Sequence, residues 1–268
     1  MLADKRLLIT GVVTTDSIAF ATAARAQALG AEVILTALDR DRTLCQQAAL
    51  ELPATPDVLA LDVTRPENFD ALADELRSRW EALDGALHAV AFAPQDALSG
   101  DFLAANPDGI NLAFQTSAVS LAGLARVLVN LAPPHGASLV GLDFDAAGAW
   151  PVYNWMGVCK AALEAASRYL ARDLGPRNIR ANLIAAGPLH TRAAGGIPDF
   201  QRLLDAWEDQ APLIWNPADP TPVADAACFL LSDSARAITG EILHVDGGYH
   251  AMAAPLRPSN TLPTQTDS

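Results

Sequence analysis

Tyr153 and Lys160 form the pair of side chains in this sequence that best fits a shared chemical role. Both lie in a stretch with a helical pattern. Seven helical residues turn the chain through about 700°, so the two side chains share a face within about 20° and stand about 10 Å apart along the axis. A neutral phenol and an ammonium would then face one site. The alternative is an interfacial tyrosine and a surface lysine.

Residues that follow the first three predicted strands could contact a dinucleotide. After the first strand come Gly11 and Ser17, and Ser17 before Ile18 can cap a helix whose N–H groups bind a pyrophosphate. Asp39 follows the second strand and can accept hydrogen bonds from a ribose. Asp62 follows the third strand and could meet an adenine amino group. The alternatives are a plain strand–helix turn, an exposed loop aspartate and a helix cap.

An alternation of short β-rich strands and longer helices would place these residues together. The predicted strands are 6–10, 32–36, 57–61, 86–91, 137–142, 180–184 and 242–245. The predicted helices are 17–29, 41–50, 66–80, 109–131, 153–174 and 221–232. This pattern predicts an α/β fold, a Rossmann-like doubly wound sheet of about seven parallel strands with helices on both faces. Ligands of such sheets bind beyond the carboxyl ends of the strands, where the candidate residues lie.

The composition is typical of one large globular domain. The chain has 268 residues, of which 51% are apolar and 18% charged, so it can bury a core without disulfides or structural metals. Its net charge of −13 disfavours binding to nucleic acid or to anionic membranes. We expect a single Rossmann-like domain over residues 1–254. The polar, proline-containing segment 255–268 is predicted to be a disordered tail.

The cysteines and the first residues indicate a cytoplasmic protein. Cys45, Cys159 and Cys228 are odd in number and far apart, so reduced, buried thiols are expected. The predicted first strand begins at Arg6 with no signal-peptide hydrophobic region before it. The longest uncharged run, 109–125, has 17 residues and is expected to be a buried helix that is too short and too polar to span a bilayer.

The chain up to about residue 252 resembles the enoyl-acyl-carrier-protein reductases of the short-chain dehydrogenase/reductase superfamily, most closely their actinobacterial long-chain type. The resemblance rests on Gly11-x5-Ser17-Ile18-Ala19-Phe20, Leu61-Asp62-Val63, Pro94-Gln95, Gly141-Leu-Asp-Phe144-Asp, Tyr153-Asn-Trp-Met-x3-Lys160, Ala185-Ala-Gly187-Pro188, Trp207, Thr239-Gly240 and Asp246-Gly247-Gly248. Carbonyl reductases of the superfamily place their tyrosine four residues before the lysine, and here that position is Met156, which cannot donate a proton. The longer spacing moves the phenol outward by one turn, about 5.4 Å, which suits the carbonyl oxygen of an enoyl thioester.

The resemblance implies NADH-dependent reduction of trans-2-enoyl thioesters on an acyl-carrier protein, in type II fatty-acid synthesis, by a homotetramer. Tyr153 would donate a hydrogen bond to the enolate oxygen, Lys160 would hold the nicotinamide ribose, and Phe144 would flank the nicotinamide and the thioester. The other implied cofactor contacts are Gly11, Ser17, Ile18, Leu38, Asp39, Asp62, Val63, Ala91, Gly187, Leu189 and Thr191. The implied substrate contacts are Phe92, Phe144, Tyr153, Met156, Leu203 and Trp207.

The sequence departs from the family pattern at the cofactor and at the lid. Leu38 replaces an aromatic residue beside the adenine, and Ala89 and Ala91 replace the usual serine and glycine, so weaker cofactor affinity is expected. The substrate lid, 191–215, is shorter than in the mycobacterial enzymes, which disfavours very long acyl chains. It contains an amphipathic helical pattern at 200–207 that can close over an acyl chain.

NADPH is less expected than NADH as the cofactor. Asp39 opposes a ribose 2′-phosphate, although Arg40 and Arg42 lie beside it and could receive one. No metal site is predicted, because the five histidines have no spacing typical of ligands. Asp143 and Asp145 flank Phe144 and are expected to cap and solvate a strand-end loop.

Two rival functions remain. One is a related dehydrogenase or reductase that acts on a hydroxyl or carbonyl group, which Met156 opposes. The other is a catalytically silent dinucleotide-sensing protein, which the presence of both Tyr153 and Lys160 disfavours.

Overall fold

The computed structural model describes residues 1–254, and the predicted tail at 255–268 lies outside the described residues. Within this range seven strands form one parallel sheet in the order β3-β2-β1-β4-β5-β6-β7. The strands are β1 (Arg6–Thr10), β2 (Glu32–Ala37), β3 (Val58–Ala60), β4 (Gly85–His88), β5 (Ala137–Asp143), β6 (Ile179–Ala186) and β7 (Ile242–Val245). The predicted seven-stranded, doubly wound α/β sheet is confirmed. The boundaries of the domain stay a prediction.

Nine α-helices accompany these strands in the described part of the chain. They are α1 (Ile18–Ala28), α2 (Arg42–Ala49), α3 (Pro66–Arg79), α4 (Gln95–Leu98), α5 (Pro107–Phe114), α6 (Ser120–Leu131), α7 (Asn154–Leu174), α8 (Gln201–Gln210) and α9 (Thr221–Leu231). Each helix predicted between strands is present, with ends shifted by a few residues. The strand predicted at 86–91 ends at His88 instead, so Ala89 and Ala91 lie in the loop beyond β4.

The two faces of the sheet are covered by different sets of helices. Leu7 and Ile9 of β1 pack with α1, α2 and α9, whereas Leu8 packs on the opposite face with α3, α6 and α7. All three side chains are fully buried. Because both faces are covered, β1 is apolar at successive positions and shows no polar alternation.

A helical run from Pro107 to Leu131 links α5 and α6 through a π-helical turn, Gln115–Val119. The run has 25 residues and, by length and composition alone, could cross a membrane. The expectation that it is too short was therefore wrong, since the helix extends beyond the uncharged segment at both ends. Most of its apolar window is buried inside the protein, where α6 packs against α3 and α7. The run is thus a core helix of this fold. The expectation of a buried helix is confirmed.

The strand order reverses between β1 and β4, which are neighbours in the sheet but not in sequence. Loops beyond the carboxyl ends of two such strands diverge and leave a crevice, which is the usual ligand site of a doubly wound sheet. A third apolar cluster, distinct from the two cores on the sheet faces, lies at this edge and joins α7 to α8. Cys45, Cys159 and Cys228 are buried and free, as predicted.

Candidate active site

The turn after β1 passes very close to the end of β4. Gly11 has a φ of +83°, and a Cβ at this position would lie 2.0 Å from the carbonyl oxygen of Ala89, so only glycine allows this approach. Ser17 is the N-cap of α1, as predicted, and its Oγ accepts the backbone N–H of Phe20 at 3.0 Å. The helix begins at Ile18 and has no acidic residue in its first turn. Its N-terminus therefore offers N–H groups and a favourable dipole to an anion such as a pyrophosphate.

A pocket of about 380 Å³ lies beyond the carboxyl ends of β2 and β3. The candidate cofactor residues Leu38, Asp39 and Asp62 line it together with Arg40. The other basic residue considered for a 2′-phosphate, Arg42, donates its guanidinium to the carbonyl of Val58 at 3.2 Å and is not among the lining residues. The pocket thus holds an acidic residue at the place where a ribose 2′-hydroxyl could be recognised, and two exposed arginines, Arg40 and Arg65, also line it.

Asp62 organises the turn beside this pocket. Its Oδ1 accepts the backbone N–H of Thr64 at 3.0 Å and the hydroxyl of the same residue at 2.6 Å. The N-cap of α3 is Arg65, so the alternative interpretation of Asp62 as the helix cap is wrong. Val63, the neighbouring predicted cofactor contact, is buried.

Tyr153 and Lys160 are both buried on the sheet side of α7. Tyr153 is the N-cap residue and is 8% exposed, and Lys160 is 5% exposed. The Lys160 Nζ donates to the carbonyl of Leu142 in β5 at 2.8 Å. Burial raises the pKa of Tyr153, and the charge of Asp143 raises it further. The phenol is therefore a neutral hydrogen-bond donor rather than an anion.

Asp143 is the last residue of β5 and does not lie in a solvated loop. It is 5% exposed, and neither of its carboxylate oxygens has a hydrogen-bond partner among the described residues. Burial raises the pKa of this carboxyl group to about 7, against a lowering effect of Lys160. The expectation that Asp143 caps and solvates a loop was wrong, because β5 continues one residue past its predicted end. Asp145 does cap, since it accepts the N–H of Ala147 at 3.0 Å.

Five of the six predicted substrate contacts belong to the apolar cluster at this edge of the sheet. They are Phe144, Tyr153, Met156, Leu203 and Trp207. The ring centroid of Phe144 lies 5.0 Å from that of Tyr153 and 5.7 Å from that of Trp207. Helix α8, in the predicted lid segment, thus packs its buried face, Leu203 and Trp207, over the end of α7. Its closure over an acyl chain stays a prediction.

The sixth predicted contact, Phe92, lies apart from this cluster. Its side chain is 47% exposed. Its backbone N–H donates to the Oγ of Ser117 at 3.0 Å, and that hydroxyl lies 3.2 Å from the carbonyl oxygen of Phe92. Ser117 belongs to the π-helical turn, so the turn anchors the loop after β4 at the rim of the crevice.

Two aromatic residues that sequence reasoning missed complete the cluster. The ring of Tyr249 stacks on that of Trp207 with a centroid distance of 3.9 Å. Trp150 lies 5.2 Å from Trp207 and 5.1 Å from Phe144. The position of Tyr249 directly after the Asp246-Gly247-Gly248 turn was the available signal, since that turn follows a strand and ends at the ligand edge.

The end of β6 packs tightly beneath the lid. A Cβ at Gly187 would lie 2.8 Å from Trp207 Nε1 and from Trp215 Cε2. Trp215 donates its indole N–H to the carbonyl of Pro188 at 2.7 Å, and Leu189 is buried. Thr191 follows and accepts the N–H of Ala194 through its Oγ1 at 3.1 Å. The contacts assigned to 187–191 on a dinucleotide stay predictions.

Comparison with known proteins assigns this chain to a family. A family model described as Enoyl-(Acyl carrier protein) reductase matches residues 11–250. This chain belongs to that family. It is 40% identical over 262 residues to an NADH enoyl-acyl-carrier-protein reductase of Mycolicibacterium smegmatis, with 92% of this chain and 97% of the relative covered. It is 40% identical to the FabI enzyme of Haemophilus influenzae and 37% identical to that of Escherichia coli, each over 254 residues with 94% of this chain and 96% of the relative covered.

The dinucleotide named for these enoyl reductase relatives, NADH, fits the residues of this chain. The N-terminus of α1 has no acidic residue in its first turn, so its N–H groups can receive the pyrophosphate. A buried ammonium, Lys160, bonds to the carbonyl of Leu142, the residue directly before the unpartnered carboxyl group of Asp143. The hydroxyls of a ligand can satisfy groups of this kind. The prediction of NADH as cofactor is confirmed. The individual contacts with it stay predictions. One of them, Ala91, is exposed in the loop after β4. Among the residues described, no group of three or more potential ligand side chains is arranged to hold a metal.

Proposed function

We propose that this chain uses NADH to reduce the trans-2 double bond of enoyl thioesters carried by an acyl-carrier protein, within type II fatty-acid synthesis. One observation carries the proposal. The phenol of Tyr153 and the ammonium of Lys160 are both buried, and Tyr153 belongs to the apolar cluster beside the crevice. Met156, four residues before Lys160, is 4% exposed and offers no hydroxyl. This residue disfavours a dehydrogenase acting on carbonyl or hydroxyl groups.

NADH, when bound, supplies the hydride that adds to C3 of the enoyl thioester. Negative charge then develops on the thioester carbonyl oxygen, and C2 takes a proton to complete the saturated product. The Tyr153 hydroxyl donates a hydrogen bond to that oxygen, and such donors stabilise developing charge most in a site that excludes water. Lys160 would hold the ribose hydroxyls, and its positive charge favours the same developing anion.

The direct test is NADH oxidation with a trans-2-enoyl thioester of acyl-carrier protein. We expect turnover with this substrate, slower turnover with NADPH, and none with the matching 3-ketoacyl thioester. Turnover of the ketone alone would assign the chain to carbonyl reduction. Dinucleotide binding without turnover of either thioester would instead assign it to dinucleotide sensing.

The same proposal includes assembly as a homotetramer in the cytoplasm, without nucleic acid or membrane partners. The outward faces of the helical run 107–131 and of α7 carry apolar side chains that the single chain leaves exposed. These are Leu112, Phe114, Val119, Val158 and Tyr169. Exposed apolar groups aligned on two neighbouring helices favour burial against another copy. Sedimentation equilibrium is expected to give four times the mass of one chain.

The preferred acyl length follows, in this proposal, from how much of the acyl chain the lid covers. Each buried methylene contributes ~0.8 kcal/mol, roughly a factor of four in affinity. We therefore expect kcat/KM to rise along a ladder of trans-2-enoyl thioesters and to level off at about C8 to C16, an order-of-magnitude range from that increment. The ladder should begin at C4 under non-micellar conditions. A curve that still rises steeply past C20 would contradict a lid that limits the pocket.

Trp150 offers a sharper version of this test. Its ring contacts both Phe144 and Trp207, so Trp150→Ala removes bulk from the aromatic cluster that α8 covers. We expect the plateau of the ladder to move to longer chains in this variant. Leu50→Ala is the matched control, because that side chain is 69% exposed directly after α2 and lies outside the aromatic cluster, so it should leave the plateau in place.

A further inference from the structure

Asp143 is a buried carboxyl group that the proposed mechanism leaves without a role. It ends β5 at the edge where the ligand crevice lies, and both of its oxygens are buried and unpartnered among the described residues. An unpaired buried charge is costly, and proteins keep one only where a neighbouring charge or a ligand offsets the cost.

The neighbouring charge is Lys160. Its Nζ bonds to the carbonyl of Leu142, the residue directly before Asp143 in the chain. An ammonium has three N–H donors, and this bond is the one that the structure describes for it. Burial lowers the pKa of Lys160, and the charge of Asp143 is the largest effect that raises it again. Without a carboxylate beside it, a lysine buried to this degree loses its proton near neutral pH.

We propose that Asp143 is a positioning residue whose carboxylate keeps Lys160 in its ammonium form, and so maintains NADH binding at neutral and alkaline pH. The inference rests on the proposed function, because it assumes that Lys160 holds the dinucleotide. Asp143 itself touches neither the substrate nor the reacting atoms in this scheme.

The other titratable groups on α7 and β4 that face the pair remain neutral in the working pH range. Burial lowers the pKa of His88 to about 3, and the charge of Lys160 contributes to this shift. Burial raises the pKa of the Cys159 thiol to about 11 and also raises the pKa of Tyr153. None of these three side chains supplies a negative charge to Lys160 near neutral pH.

Two further carboxylates lie near Asp143, and both have partners of their own. Glu164 accepts the N–H of Ala146 at 3.2 Å and lies 3.6 Å from the guanidinium of Arg168. Asp145 accepts the N–H of Ala147 and has a partly exposed side chain that lies 3.8 Å from His244. Their repulsion adds to burial in raising the pKa of Asp143. They do not replace Asp143 as the counter-charge of Lys160.

The sequence makes the charge of Lys160 directly measurable, because Lys5 and Lys160 are its two lysines. Selective ¹³Cε labelling of lysine therefore gives two NMR signals, and Lys5, which pairs with Asp233 at 2.9 Å, is an internal reference. In the wild type we expect Lys160 to stay charged well above neutral pH. Its signal should also show a small step near pH 7, where Asp143 ionises.

Asp143→Asn is expected to lower the midpoint of the Lys160 titration by ~1 pH unit or more, the size of a nearby opposite charge. Asp143→Glu should stay closer to the wild type, and Asp145→Asn, the matched control, should leave the midpoint unchanged. An unchanged midpoint in Asp143→Asn would overturn the proposal. If that variant does not fold, a wild-type Lys160 that loses its proton near neutral pH would overturn it.

A second measurement, the affinity for NADH, tests whether the charge of Lys160 contributes to cofactor binding. Fluorescence titration of Asp143→Asn should give a Kd that rises about tenfold as the pH passes the Lys160 midpoint, the cost of losing a charged hydrogen-bond donor. A Kd that is equally flat in wild type and variant would overturn the role in cofactor binding. The NMR samples contain no thioester and no NADH, so their result is independent of whether the chain reduces enoyl substrates.

Discussion

Tyr153→Phe is expected to lower kcat for trans-2-enoyl thioester reduction by ~10²–10³, the usual effect of removing one donor to a developing oxyanion. The substitution deletes only the hydroxyl, so the ring keeps its place beside Phe144 and the affinity for NADH should change little. The measurement is steady-state NADH oxidation combined with fluorescence titration of NADH. A loss confined to kcat is the signature of a group that acts on the reacting oxygen.

Tyr169→Phe is the control for this experiment. Tyr169 lies on the same helix, about 24 Å along the axis from Tyr153, and phenylalanine keeps its ring for the proposed subunit contact, so the loss of its hydroxyl should leave kcat and KM at wild-type values. Normal turnover by Tyr153→Phe would remove the phenol from the reaction and leave the buried hydroxyl without an assigned role.

Lys160→Met is expected to weaken NADH binding by ~10–100-fold, since a hydrogen bond from a charged group contributes about 1.5–3 kcal/mol. Methionine preserves most of the length and the apolar stem of the lysine side chain, so the packing of this buried position on α7 should survive. We expect KM for NADH to rise more than kcat falls, which is the reverse of the Tyr153→Phe pattern. The measurements are the Kd from fluorescence titration and the separate kcat and KM values.

Lys5→Met provides the matched control for the loss of an ammonium. Lys5 precedes β1 and pairs with Asp233, at the end of the sheet opposite the ligand crevice. Its replacement should leave the Kd of NADH unchanged. An equal Kd for wild type and Lys160→Met would place the ammonium outside the cofactor site.

Periodicity and strand-end chemistry were sufficient to predict the framework of the site. The apolar run in β1 and the helical pattern of α7 each depend on residues close in sequence, and so does the seven-residue spacing of Tyr153 and Lys160. Local patterns of this kind determine which face of an element is buried. The N-cap at Ser17 and the lid helix α8 were predicted on the same grounds and are present in the structure.

Contacts between segments that are distant in sequence could not be predicted in the same way. Trp150, Trp207 and Tyr249 come from three separate loops or helices, and only the folded chain shows that their rings meet. The close approach of Gly11 to Ala89 is likewise a property of neighbouring strand ends. No one-dimensional pattern encodes such distances, because they depend on strand order and loop path.

The sequence by itself thus determined the parallel α/β sheet, and it predicted the edge at which ligands bind and the pair of groups, Tyr153 and Lys160, that would face it. Only the tertiary structure decided the environment of Asp143. Whether a strand-end carboxylate is solvated or buried depends on what packs over it, and here α7 and its buried lysine cover it. Burial changes both the charge of such a group and its influence on its neighbours, since electrostatic interactions strengthen as water is excluded.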